Sequence, residues 1–96
     1  MLEPELNRRE MKELFAAVAK LRDVDEVKKF LRDIGTLAEL KAMAERWKVA
    51  KLVKQGIPYR SIAKKTGVST ATITRVAYWL HHGSGGYELM LHRFGR

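Results

Sequence analysis

The sequence has no cysteine, no long apolar run, and no aspartate or glutamate between Arg46 and Tyr87. The first absence excludes disulfides, thiolate nucleophiles and cysteine-ligated zinc, and is compatible with a reducing cytoplasm. The longest apolar run, from Leu14 to Ala19, falls far short of the roughly 18 residues of a membrane-spanning helix. The opening MLEPELNRRE has no apolar signal core. These features lead us to expect a soluble, unexported protein. With 96 residues the chain is one small domain that buries roughly 60–65% of its surface, enough for a core but not for a core plus a deep cleft.

Catalytic constellations are missing as well. There is no paired acid for hydrolysis and no glycine-rich phosphate loop ending in Lys-Ser or Lys-Thr. His81, His82 and His92 are the only histidines, and adjacent histidines on a helix cannot both face one metal. We therefore expect no enzyme, no metal and no cofactor.

What is present is positive charge, unevenly placed. The chain carries a formal +8, with eleven basic and ten acidic residues in 1–48 but eight basic and one acidic in 49–96. The acid-free stretch holds Arg46, Lys48, Lys51, Lys54, Arg60, Lys64, Lys65 and Arg75. Such a block attracts polyanions, although a solvated lysine-rich surface has the same composition.

The apolar pattern is helical almost throughout, giving an all-α fold of about six helices. Pro4 suits a first helical turn, and Met11, Leu14, Phe15, Val18 and Leu21 recur at spacings of three and four, which predicts a helix from Pro4 to Leu21. Asp23 with Glu26 resembles a capping box for a second helix with Val27, Phe30, Leu31 and Ile34 on one face, and Gly35 fits a left-handed C-terminal cap. Thr36 with Glu39 opens a third, carrying Leu40, Met43, Trp47 and Ala50 until Gly56, Ile57 and Pro58 stop it. Residues 1–55 are assigned to dimerisation helices, 58–82 to the motif below, and 87–94 to a short last helix packing Leu89, Met90 and Phe94. The loop Gly83-Ser84-Gly85-Gly86 is the one flexible stretch expected.

Residues 58–82, PYRSIAKKTGVSTATITRVAYWLHH, have the grammar of a helix-turn-helix. Ile62, Ala63 and Thr66 share one side of a short helix, Gly67 permits a turn with positive φ, and Ser69 can cap a second helix with Ile73, Val76, Ala77 and Leu80 inside. Ala63 lets the helices approach and Ile73 plugs the angle between them. Rotating about 100° per residue from Ile73 turns Ala71, Arg75 and Tyr78 outward, with Thr70 and Thr74 near the exposed N-terminal end. These five are the base-reading candidates: arginine can donate twice to guanine, and threonine or alanine methyls can pack on thymine. Tyr78 could equally pack at a dimer surface. Lys54, Arg60, Lys64 and Lys65, with the N-terminal turn at Ser69, suit phosphates, which position the protein without conveying sequence.

On these residues, the stretch from about Asp33 to Gly86 resembles the Trp repressor superfamily, specifically its YerC/YecD-type branch, and Ala71-Thr72-Ile73-Thr74-Arg75 matches the repressor's recognition helix letter for letter. The resemblance implies an intertwined all-α homodimer with two reading heads. It also implies a corepressor pocket between Arg46 and Arg75, lined by Thr72. Where the repressor has a glycine and a serine beside the ligand, this chain has Val76 and Trp79. The indole cannot offer the serine hydroxyl and is large enough to fill the space of a free tryptophan. The pocket of Arg46, Thr72, Arg75, Val76 and Trp79 therefore reads as vestigial, with tryptophan not its corepressor and Trp79 either a built-in wedge or core or interface filler; any other small-molecule effector is left open.

The function expected is a sequence-specific, DNA-binding transcriptional regulator acting on double-stranded DNA as a homodimer, without membrane association, in the cytoplasm at the nucleoid. The alternative is a helical module that docks an acidic protein or structured RNA, because fold alone does not fix function.

Overall fold

The computed structural model describes residues 3–95; Met1, Leu2 and Arg96, which the domain and dimerisation assignments include, lie outside them. Among the described residues all regular structure is helical: a short 3-10 helix (Pro4–Asn7), then α1 (Arg9–Ala19), α2 (Val24–Ile34), α3 (Leu37–Lys54), α4 (Tyr59–Thr66), α5 (Thr70–His82) and α6 (Gly86–Arg93). The chain divides into two compact units, Met1–Leu40 and Lys41–Arg96.

The first unit corrects the sequence reading in two places. The helix expected from Pro4 to Leu21 is broken: Pro4 opens only the 3-10 turn, Arg8 is extended (φ −65°, ψ 151°), and α1 begins at Arg9 and stops at Ala19. Proline fixes φ for a first turn but does not propagate a helix, and here no side-chain cap bridges the join. Gly35 is not left-handed either; at φ −119° and ψ 153° it runs extended into the next cap. Its N–H still closes α2 by donating to the Leu31 carbonyl, and a Cβ there would sit only 3.1 Å from that oxygen. Glycine is used at Gly35 for close approach.

The expected capping box at α3 forms in full and the one at α2 in part, because Glu26 reaches past the Asp23 cap to the residue before it. Asp23 Oδ1 accepts from the Glu26 N–H at 2.9 Å, while Glu26 Oε1 accepts from the Arg22 N–H at 2.9 Å. At α3 the Thr36 N–H donates to Glu39 Oε1 at 2.8 Å and the Glu39 N–H donates to Thr36 Oγ1 at 3.1 Å. The Thr36 backbone N–H, seconded by its side chain, holds the Glu39 carboxyl below its ordinary value of 4.5.

The second unit contains the core. Val49 and Ala50 from α3, Ile62 from α4, Val68 from the turn and Ile73 and Val76 from α5 are buried together. α3 ends as its glycine requires: Gly56 has φ +82°, its N–H donates to the Val53 carbonyl, and the Ile57 N–H reaches back to Leu52. α6 packs on α5 through a different face from the one expected. Leu91 is buried, whereas Leu89, Met90 and Phe94 are exposed. The reason is register: Leu91, four residues after Tyr87, takes the inward position, Leu89 lies on the opposite side of the helix, and Met90 and Phe94 fall at the edge of the inward stripe. Phe94 still meets Trp47, with ring centroids 5.9 Å apart, and Tyr87 stacks parallel to the same indole at 6.5 Å. Gly83 does not behave as a loose linker, because a Cβ there would collide with the Trp79 carbonyl.

Candidate nucleic-acid interface

The helix-turn-helix is built by α4, the turn and α5. α4 closes when the Gly67 N–H donates to the Ala63 carbonyl at 2.8 Å, with Gly67 left-handed at φ +75°. Thr66 and Val68 complete the turn, and sequence reasoning gave neither this role. Thr66 Oγ1 donates to the Ile62 carbonyl at 2.7 Å and accepts from the Val68 N–H at 3.1 Å, while Val68 is buried beneath the turn. A threonine directly before the turn glycine, able to bond four residues back, was the available signal.

Ser69 then caps α5. Its Oγ accepts from the Thr72 N–H at 3.2 Å and donates to Thr72 Oγ1 at 3.1 Å, so the cap also orients Thr72. Along α5, Ile73, Val76, Ala77 and Leu80 are buried, and Thr70, Ala71, Thr74, Arg75 and Tyr78 are all exposed. The inner and outer faces thus separate along one helix. Arg60, Lys64, Lys65 and Ser69 are exposed on and just beyond α4. Lys54 differs: its Nζ lies 3.4 Å from Glu88 Oε1, so this phosphate candidate already has a partner.

The five residues of the pocket suggested by resemblance do come together. Arg46, Thr72, Arg75, Val76 and Trp79 line one concavity of about 430 Å³, joined by Tyr87, which the sequence reading did not include. Val76 is buried with the core, but Trp79 is 53% exposed. Within one chain, therefore, the indole neither fills this space nor acts as core; it stands as a wall, edge-on to Tyr78 at 5.1 Å. The spacing explains this, because positions 72, 76 and 79 run along the flank between the buried and outward faces. Trp79 and Tyr87 also border a second, apolar concavity of about 520 Å³ with Trp47, Met90 and the loop residues Gly83, Ser84 and Gly86.

A capped helix-turn-helix with a polar outward face, set in an all-helical chain, defines the class. The chain belongs to the Trp repressor protein family, whose sequence model matches residues 9–94. It is 38% identical over 88 residues to YerC of Bacillus subtilis (strain 168), covering 92% of this chain and 85% of that protein. The crystal structure of a TrpR-like protein from Eubacterium eligens is similar at a TM-score of 0.92 and 38% identity, over 97% of this chain and 96% of that one. A Staphylococcus aureus crystal structure follows at 0.91 and 36%, over 99% and 95%.

Proposed function

We propose that this protein is a sequence-specific DNA-binding transcriptional regulator that inserts α5 into the major groove and acts as a homodimer at the nucleoid. The observation that carries the reading is the division of α5, with Ile73, Val76, Ala77 and Leu80 buried and Thr70, Ala71, Thr74, Arg75 and Tyr78 presented to solvent. Arg75 can donate two hydrogen bonds to guanine O6 and N7, and Ala71, Thr70 and Thr74 can meet thymine methyls or polar base edges. Arg60, Lys64 and Lys65, with the first turn at Ser69, would grip the flanking phosphates. No described residue from Glu3 to Leu40 is buried, although Phe15, Val18, Ile34 and Leu37 are large and apolar. A second copy covering those faces accounts for their chemistry.

Salt titration tests the reading. For a duplex partner, log affinity falls linearly with log salt at about −0.9 per phosphate contact. Tight binding to an acidic protein or a folded RNA, with no duplex bound at any salt, would instead favour the interaction-module reading.

In this proposal tryptophan is not the corepressor. Val76 and Trp79 stand where the Trp repressor that the motif resembles has a glycine and a serine, Trp79 offers no hydroxyl, and Thr72 Oγ1 is already accepting from Ser69. Calorimetry with L-tryptophan should register no binding at micromolar concentration; saturable micromolar binding would overturn this part.

A further inference from the structure

Glu88 is the sole acidic side chain after Glu45 in the sequence, and it is engaged. Lys54 Nζ donates to Glu88 Oε1 at 3.4 Å across 34 residues of chain, from the last turn of α3 to the first turn of α6. We infer that this pair is an exchangeable latch: Lys54 is a phosphate-binding point that Glu88 occupies in the free protein and that a DNA phosphate takes over on docking. The inference rests on the DNA-binding reading above and adds a counter-ion supplied by the chain itself.

Three observations support the exchange. The contact is a single long one, and the two side chains are 40% and 51% exposed, so the pair is weak and accessible. Its setting is unlike that of Lys29 and Asp25, an i,i+4 pair within one helix in the charge-balanced half of the chain. Lys54 instead lies in the acid-free stretch of sequence that also holds Arg60, Lys64 and Lys65, whose summed charge favours a phosphate. Finally, α6 does not depend on the pair for its anchorage, because Leu91 is buried and Tyr87 stacks on Trp47.

The consequence is a uniform restraint on duplex affinity. Docking must displace a carboxylate, which then remains beside the DNA backbone as a like charge. Bases are not involved, so the preference for one sequence over another is unaffected.

A double-mutant cycle on the full-length chain, read with a random-sequence duplex at physiological salt, tests this. Glu88→Gln should tighten binding about two- to fivefold, the range of an exposed pair. Lys54→Ala should weaken it, and most of the Glu88→Gln gain should disappear in the Lys54→Ala background. Glu88→Asp, which keeps a negative charge in the first turn of α6 but draws it back, should give an intermediate gain. Unchanged or weaker binding by Glu88→Gln overturns the latch, as does an equal gain without Lys54. A wild type that shows no preference between selected and random duplexes, with the Glu88→Gln gain intact, would sink the base-reading assignment alone. Absence of duplex binding at low salt by the wild type and every variant would sink both.

Discussion

At the scale of single residues, the outward side of α5 and the basic residues around it should separate by kind. Arg75 is exposed on the same face as Ala71 and Tyr78, so Arg75→Ala should leave thermal stability nearly unchanged. It should cost about 1–3 kcal/mol on a preferred site and far less on random DNA, as read by competition binding. Lys65→Ala should weaken both alike and flatten the salt slope by about 0.9. Equal losses on the two duplexes for Arg75→Ala would remove its base-reading role. Much of this face was legible in the sequence because helical geometry turns Ala71, Arg75 and Tyr78 away from Ile73 whatever the rest of the fold does. The Lys54–Glu88 contact was not legible: two side chains 34 residues apart meet only through tertiary packing that no local pattern encodes.

At the scale of elements, caps and turns are where sequence and structure agree most closely, since they are short-range and chemically specific. Asp23, Thr36 and Ser69 all cap as their neighbours imply. The misreadings lie where the same residue type serves two purposes. Gly35 looks like a left-handed cap but is there because a Cβ would press on the Leu31 carbonyl, and Pro4 looks like a helix start but opens only a 3-10 turn. Gly67 is the converse case. A Cβ there would meet nothing within 4 Å, so only its φ of +75° demands glycine. Gly67→Ala should accordingly cost about 1–2 kcal/mol in denaturant unfolding, a purely conformational penalty. Ile73→Ala, at a fully buried position between the two helices, should cost about 2–5 kcal/mol. A smaller loss for Ile73 than for Gly67 would contradict this packing.

The cap of α3 also carries a pH dependence. Because the folded protein holds Glu39 below 4.5, its cap contribution is fully present above that value and is lost as pH falls through the lowered one. Helicity followed by circular dichroism should decline over that acid window in the wild type, and Glu39→Gln should remove this component of the decline. An undiminished acid transition in Glu39→Gln would assign it to other carboxylates.

At the scale of the whole molecule, the two units are very differently furnished. The described part of Met1–Leu40 buries no residue, and carries a concavity of about 630 Å³ lined by Leu31, Leu37 and Leu40 together with Lys28, Lys29, Arg32 and Asp33. Among the described residues, Lys41–Arg96 holds all nine buried hydrophobic ones. If a second copy covers that imbalance, as proposed, sedimentation equilibrium should find twice the 11.0 kDa chain mass at micromolar concentration. A twofold dimer would present two copies of α5 about 34 Å apart, one turn of DNA. Selection of bound duplexes from a random pool at physiological salt measures both the reading of bases and that symmetry. The expected outcome is an enriched palindrome whose half-sites are centred about 10 base pairs apart, or a multiple of that spacing, and whose enrichment is lost with Arg75→Ala. A pool that stays random after repeated rounds, although the protein retains duplex as salt dictates, would contradict sequence-specific recognition by α5.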